Sequence, residues 1–470
     1  MGVYYPQRQF RVLLLIGSWV ILACLIWTIA VYSSHDSKLQ TIRHNKMSSI
    51  RRVEESSAKP SPAKHVNTTL HATVSLDRST SHVPSSPFYQ FPVNCSAIFE
   101  DNTREIQHAE LLLRTEKQKN KDSKIPIPND DEIASFSENC TYYKEARDYP
   151  TKVLSKEEEN FPLAFIILTH RNAAQTELLL RSIYQPHNVY AIHPDSKSPP
   201  VFLRAIKNLA RCFDNVFVCS KLEAVKYAGF TRLLADINCM KDLVEHKVKW
   251  RYVINQCGEA FPLKTNLEMV RQLKAYHGRN DAEGYVAPHK LGRFHVFSPK
   301  RRQFKTANEM LQRYPPPNNI SLFSGNAYNT LSRKFVEYVL NDELPVKFLE
   351  WINMTYSPDE HFWSSLQRVP SAPGSYTNVT HKDINTSFVK WAGETFFKPC
   401  KGTFVRGICV MGTAYLPYVA RLPHLFANKF HYSYDPITMQ CMQELLTNRT
   451  YNPKLTKEYY PEFPAKRKWY

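Results

Sequence analysis

The chain has 470 residues with 43% hydrophobic content, 61 Lys plus Arg against 43 Asp plus Glu, and 10 cysteines. That length and apolar content exclude wholesale disorder and allow one large or two ordinary domains with a sizeable core. The net charge of +18 would suit nucleic acid or anionic lipid, but the basic residues are scattered, and only Ser298 to Lys305, SPKRRQFK, forms a dense run. That dispersion argues against nucleic-acid binding.

Residues Val12 to Tyr32 are an uncharged apolar run long enough to cross a bilayer as a helix. Arg8 and Arg11 precede it without an acidic neighbour, which predicts a cytosolic N-terminus and a luminal remainder. The following SSHDSK offers no clean small-residue cleavage site, so the run reads as an uncleaved anchor. The predicted organisation is a cytosolic tail over 1–11, a transmembrane signal-anchor over 12–32, a flexible stem over 33–90 rich in Ser, Thr, Lys and Pro, and a luminal domain over 91–470.

Asn-X-Ser/Thr sequons at Asn67, Asn94, Asn139, Asn319, Asn353, Asn378, Asn385 and Asn448 suit passage through the secretory pathway. Apart from Cys24, nine cysteines lie beyond the membrane run, and an odd count in an oxidising compartment implies up to four disulfides and one free thiol. No CxxC pair is present, which argues against a structural zinc site.

The dense folded region starts near Phe161. LAFIILTH (163–170), NVYAIHPD (188–195), NVFVCS (215–220) and RYVINQCG (251–258) read as strands. They alternate with helical patterns over 174–184, about 202–210 and about 227–246, which predicts an α/β fold with a parallel sheet covered on both faces. His193, Asp195 and Ser220 fall at carboxyl ends of these strands, where such sheets bind ligands. No GxGxxG follows the first strand, and neither a P-loop nor a G-x-S-x-G elbow occurs.

In TYSPDEHFW (355–363), Ser357, Pro358 and Glu360 spell a helix capping box. A capping carboxylate at the positive end of a helix is held ionised, which is also what a general base requires. Both readings are compatible, while Asp359 reads as structural.

The stretches YVINQCGEAFPLKTNLEMV (252–270), LFSGNAY (322–328), TYSPDEHFW, FVKW (388–391) and HLFANKF (424–430) closely resemble the core 2 and I-branching β-1,6-N-acetylglucosaminyltransferases, a family that includes peptide xylosyltransferases. The resemblance covers about Cys95 to Cys441 and implies a metal-independent, inverting transferase of GT-A type that uses a UDP-sugar and needs no cofactor. It also implies a Golgi, single-pass type II membrane protein acting on O-glycans of glycoproteins. Glu360 falls on the family's catalytic base. Arg406 and Lys429 fall on the cations that grip the diphosphate, and Leu168, Asp195 and Tyr227 on positions that bind the uridine. Glu283, Lys290, Arg293 and Trp391 fall on acceptor contacts, across a one-residue gap.

The family pattern pairs Cys95 with Cys441, Cys140 with Cys212 and Cys400 with Cys409. Its usual partner of Cys239 is Ala191 here, so the extra Cys219 is expected to take that place and leave Cys257 free. Gly393 stands where core 2 enzymes often carry Tyr, so one acceptor contact is missing. The resemblance implies transfer of N-acetylglucosamine from UDP-N-acetylglucosamine in β-1,6 linkage to core 1 O-glycans, with glucose or xylose as the alternative donor sugars. A glycan-binding protein without catalysis is the other class, and a homodimer is allowed but not specified by the sequence.

Overall fold

The computed structural model describes residues 86–119, 125, 127–286, 292–293, 315–376 and 386–455. The expected anchor, most of the stem, Asn67, Asn378, Asn385, Lys290 and the SPKRRQFK run lie outside the described residues. Among the described residues no helix is long and apolar enough to cross a membrane.

The central sheet has five strands in the order β3-β2-β1-β4-β6. These are β1 (Leu163–Thr169), β2 (Val189–Pro194), β3 (Val216–Val218), β4 (Tyr252–Cys257) and β6 (Thr330–Ser332). The first four run parallel, as their apolar runs predict, and β6 closes the edge antiparallel to β4. Alternate residues of each strand feed two cores. Leu163, Phe165, Ile167, Tyr190, Ile192 and Ile254 face one side; Ala164, Ile166, Val189, Ala191 and Val253 face the other. Helices Ala173–Ile183, Pro200–Arg211 and Pro436–Tyr451 bury apolar side chains in the first core, and Phe230–Glu245 and Arg333–Asn341 bury theirs in the second.

A three-stranded sheet, β5-β10-β7, follows from Ala260–Pro262, Phe426–Asn428 and Ser387–Val389, and β8 (Gly402–Val405) pairs with β9 (Ile408–Met411) as a hairpin. At the tip of that hairpin Arg406 and Gly407 both have positive φ, 52° and 77°. Two left-handed residues in a two-residue loop are what the right-handed strand twist selects.

The folded body begins slightly before the predicted boundary at 91. Phe88 is buried, with the Arg147 guanidinium 4.0 Å above its ring. Phe91 exchanges two hydrogen bonds with the Gln440 side chain, 2.8 and 3.0 Å. Asn129 and Glu132 form a reciprocal capping box for the helix Asp130–Phe136.

Among the described residues four disulfides are present, Cys95–Cys441, Cys140–Cys212, Cys219–Cys239 and Cys400–Cys409, and Cys257 is a free thiol. Cys219 directly follows β3, where its N–H donates to Ile192 O on β2 (2.9 Å), so it reaches the helix carrying Cys239 from the strand next to Ala191. A non-reducing peptide map should recover Cys219 joined to Cys239 and Cys257 alkylated after denaturation. Recovery of alkylated Cys219 would contradict this pairing.

Candidate active site

The strand order places the sheet's switch point between β1 and β4, since the chain moves outward from β1 to β3 and returns on the other side of β1. Ligands bind at that crevice in such sheets. Here it opens into a cleft of about 1190 Å³ lined by Leu168, Tyr227, Glu283, Arg293, Glu360, Trp391, Arg406 and Lys429, among others. Eight of the expected site residues therefore share one cavity.

His193, Asp195 and Ser220, which the sequence placed at the ends of β2 and β3, are not among the residues that line this cleft. Those three are tied into the fold. His193 Nε2 accepts the Glu223 N–H (2.9 Å), and the Ser220 hydroxyl donates to Asp242 (2.7 Å). Asp195 does not line the cavity; its carboxylate accepts the N–H groups of Lys197 and Val225, at 2.9 and 3.3 Å. Through Val225 it anchors the loop that carries Tyr227.

That loop also corrects the predicted helix start near 227. The helix begins at Phe230 behind Gly229, because Ala228 has φ of 53° and Lys226 N–H is drawn to the Thr231 hydroxyl (2.8 Å). Tyr227 is thereby left 77% exposed, with the Arg406 guanidinium 5.3 Å from its ring centre. This cation–π contact joins the loop to the hairpin tip.

The expected capping box is absent. Ser357 is left-handed (φ 49°), its side chain caps nothing, and Pro358–Glu360 form one 3-10 turn before the helix Phe362–Leu366. Tertiary hydrogen bonds impose this conformation. Ser357 N–H donates to Ala228 O (2.8 Å), Tyr356 N–H to Arg293 O (2.9 Å), and Gly325 N–H to Glu360 O (2.7 Å). The Glu360 side chain does not fold back onto the turn but accepts a hydrogen bond from Arg293.

Gly325 explains LFSGNAY, since a Cβ there would sit 2.2 Å from Glu283 O. Only glycine lets the Glu283 segment lie against the Glu360 turn. Trp391 is 51% exposed and bridges Ile408 of the hairpin, while Ala392 N–H donates to Gly407 O (2.8 Å). The hairpin carrying Arg406 is thus fixed on one side by the Trp391 segment and at its base by Cys400–Cys409.

Asp359 also lines the cleft. Burial pushes its carboxyl up to about 6, with Glu360 and Asp236 adding to the rise and Arg232 opposing it. Arg232 is held by Asp236 at 2.6 Å and lies 3.9 Å from Asp359.

Sequence reasoning missed Arg171, Gln175, Glu259 and His431, all of which line the cavity. Gln175 is buried and joins two segments: its Nε2 donates to Gly258 O (3.0 Å) and Phe430 O (2.8 Å), and its Oε1 accepts from Tyr432 N–H (3.0 Å). It fixes the backbone around Lys429 and His431 against the end of β4. Gly258 permits close packing there, since a Cβ would lie 2.7 Å from Thr169 Oγ1. The only sequence signal was a charged residue immediately after a buried strand, in QCGEAF. Among the described residues no group of three or more His, Cys, Asp or Glu side chains is placed to hold a metal ion.

Residues 163–419 match the family model for the Core-2/I-Branching enzyme. The chain is 42% identical over 373 residues to beta-1,3-galactosyl-O-glycosyl-glycoprotein beta-1,6-N-acetylglucosaminyltransferase 4 of Danio rerio, covering 76% of this chain and 84% of that relative. It is 39% identical over 375 residues to beta-1,3-galactosyl-O-glycosyl-glycoprotein beta-1,6-N-acetylglucosaminyltransferase of Homo sapiens, covering 76% and 85%. Against N-acetyllactosaminide beta-1,6-N-acetylglucosaminyl-transferase of Homo sapiens the identity is 41% over 322 residues, covering 67% and 80%. The matched segment contains all five strands of the central sheet and the hairpin that carries Arg406, and the chain belongs to the Core-2/I-branching enzyme family.

Proposed function

We propose that this protein is an inverting β-1,6-N-acetylglucosaminyltransferase that branches O-glycans of the Galβ1-3GalNAc type with UDP-N-acetylglucosamine as donor. The observation that carries this reading is that Glu360, Arg406, Lys429 and Trp391 all open onto one cleft at the switch point of the sheet. A binding module needs neither a base nor a pair of leaving-group cations.

An unactivated sugar hydroxyl is a poor nucleophile. Glu360 accepts its proton as the oxygen attacks the anomeric carbon from the face opposite UDP, which turns an α-linked donor into a β-linked product. Arg293, hydrogen-bonded to Glu360, aims the carboxylate. The bond to the departing diphosphate breaks toward Arg406 and Lys429, whose charges stabilise the negative charge that develops there. Trp391 gives the acceptor ring a flat apolar face.

In this reading the two cations do a divalent ion's work. The protein acts in the Golgi lumen as a type II membrane protein, a placement supported by four disulfides and by the exposure of Asn94, Asn139, Asn319, Asn353 and Asn448. A panel of UDP-sugars offered with Galβ1-3GalNAc should give transfer from UDP-N-acetylglucosamine. Preference for UDP-glucose or UDP-xylose would reassign the donor, and binding of glycan without transfer from any donor would overturn the enzymatic reading.

A further inference from the structure

At the switch point one carboxylate gathers three basic side chains from separate segments. Glu259 Oε1 accepts from the Arg171 guanidinium at 2.5 Å. Its Oε2 lies 3.2 Å from Lys429 Nζ and 3.3 Å from His431 Nε2. Arg171 comes from the turn after β1, Glu259 from the turn after β4, and Lys429 and His431 from the segment after β10. Gln175 locks the last two segments together, so the convergence belongs to the fold and not to chance side-chain rotamers.

The local charges are unequal to their surroundings. Burial alone would push the Glu259 carboxyl up, yet His431, Arg171 and Lys429 outweigh it and hold that group well below the usual carboxylate range. Lys429 is 10% exposed, whereas Arg171 is 59% exposed and lines the cleft with it. A carboxylate and a phosphate present paired oxygens to the same guanidinium and ammonium donors, and these charge-assisted bonds are the strong ones.

We propose that Arg171 is a further leaving-group-binding residue and that Glu259 is the internal anion which Arg171 and Lys429 exchange for a phosphate of the donor diphosphate. This rests on the reading of the cleft as a UDP-sugar site. Before exchange, Glu259 neutralises cations that would otherwise repel one another, and keeps them near their working positions. On exchange, the entering phosphate takes both cations and the carboxylate is displaced by like-charge repulsion. After transfer, Glu259 competes for the same cations and favours release of UDP.

The test is calorimetric titration of the wild-type protein, Arg171→Ala and Glu259→Gln with UDP, uridine and inorganic pyrophosphate, with thermal unfolding as the check on folding. Arg171→Ala should weaken UDP and pyrophosphate binding by about tenfold and leave uridine unchanged. Glu259→Gln keeps the side chain's size and removes the competing charge, so UDP should bind several-fold more tightly, again with uridine unchanged. Unaltered UDP affinity in Arg171→Ala, equal losses for UDP and uridine, or weaker UDP binding in Glu259→Gln would each overturn the exchange. If wild type binds UDP and any of these results appears, the exchange fails and the donor reading stands. If wild type binds neither UDP nor pyrophosphate, both fail.

Discussion

Replacing Glu360 by Gln should lower turnover by about two orders of magnitude or more, while the protein stays folded and UDP still binds. The substitution keeps the side chain's length and its ability to accept a hydrogen bond from Arg293, and it removes the charge and the basicity. The backbone of the turn is untouched, because Glu360 is held through its own N–H to Ser357 O (3.0 Å) and its carbonyl from Gly325 N–H (2.7 Å). A structural role would therefore survive the change, and only proton transfer would not. Turnover and UDP affinity measured on the same preparation decide this. Near-normal turnover with intact UDP binding would remove Glu360 as the base.

Lys429→Ala should lower kcat by roughly 10²- to 10³-fold, the scale on which a preorganised group facing developing charge acts. Its effect should exceed that of Arg406→Ala. Lys429 is 10% exposed and sits where the effective dielectric is low, whereas Arg406 is exposed at a hairpin tip where water and salt screen it. The Arg406→Ala loss should also shrink as salt is raised, because part of the wild-type benefit is already screened away. Comparing kcat, KM and UDP inhibition for the two variants at low and moderate salt tests this ranking. Equal losses, or turnover of Lys429→Ala close to wild type, would show that the leaving group is stabilised elsewhere.

The parallel sheet was legible because β1 is a nearly continuous apolar run, β2 and β4 open with apolar runs of their own, and helical patterns lie between them. Such runs have few alternative fates when both faces are covered. Residues of the cleft were legible through matched stretches, with Glu360 inside TYSPDEHFW, Trp391 inside FVKW and Lys429 inside HLFANKF. What could not be read was conformation imposed from a distance. Ser357 carries every local signal of a helix cap, but the Ala228 carbonyl claims its N–H and holds it left-handed. Local propensity lost to a tertiary hydrogen bond.

The Glu259 cluster was hidden for a related reason. Arg171, Glu259 and His431 lie in three segments far apart in sequence, and the strand order brings the turns after β1 and β4 side by side. His193 ends a strand as ligand residues do, but its ring accepts the Glu223 N–H and is spent inside the fold.

The most direct test of the central claim is to characterise the product formed from UDP-N-acetylglucosamine and Galβ1-3GalNAc in excess EDTA. Nuclear magnetic resonance of the isolated trisaccharide should show one new N-acetylglucosamine in β configuration on the 6-hydroxyl of GalNAc, formed at a rate unaffected by the chelator. An α-linked product would contradict inversion through Glu360. Loss of activity in EDTA restored by manganese would contradict neutralisation of the leaving UDP by Arg406 and Lys429.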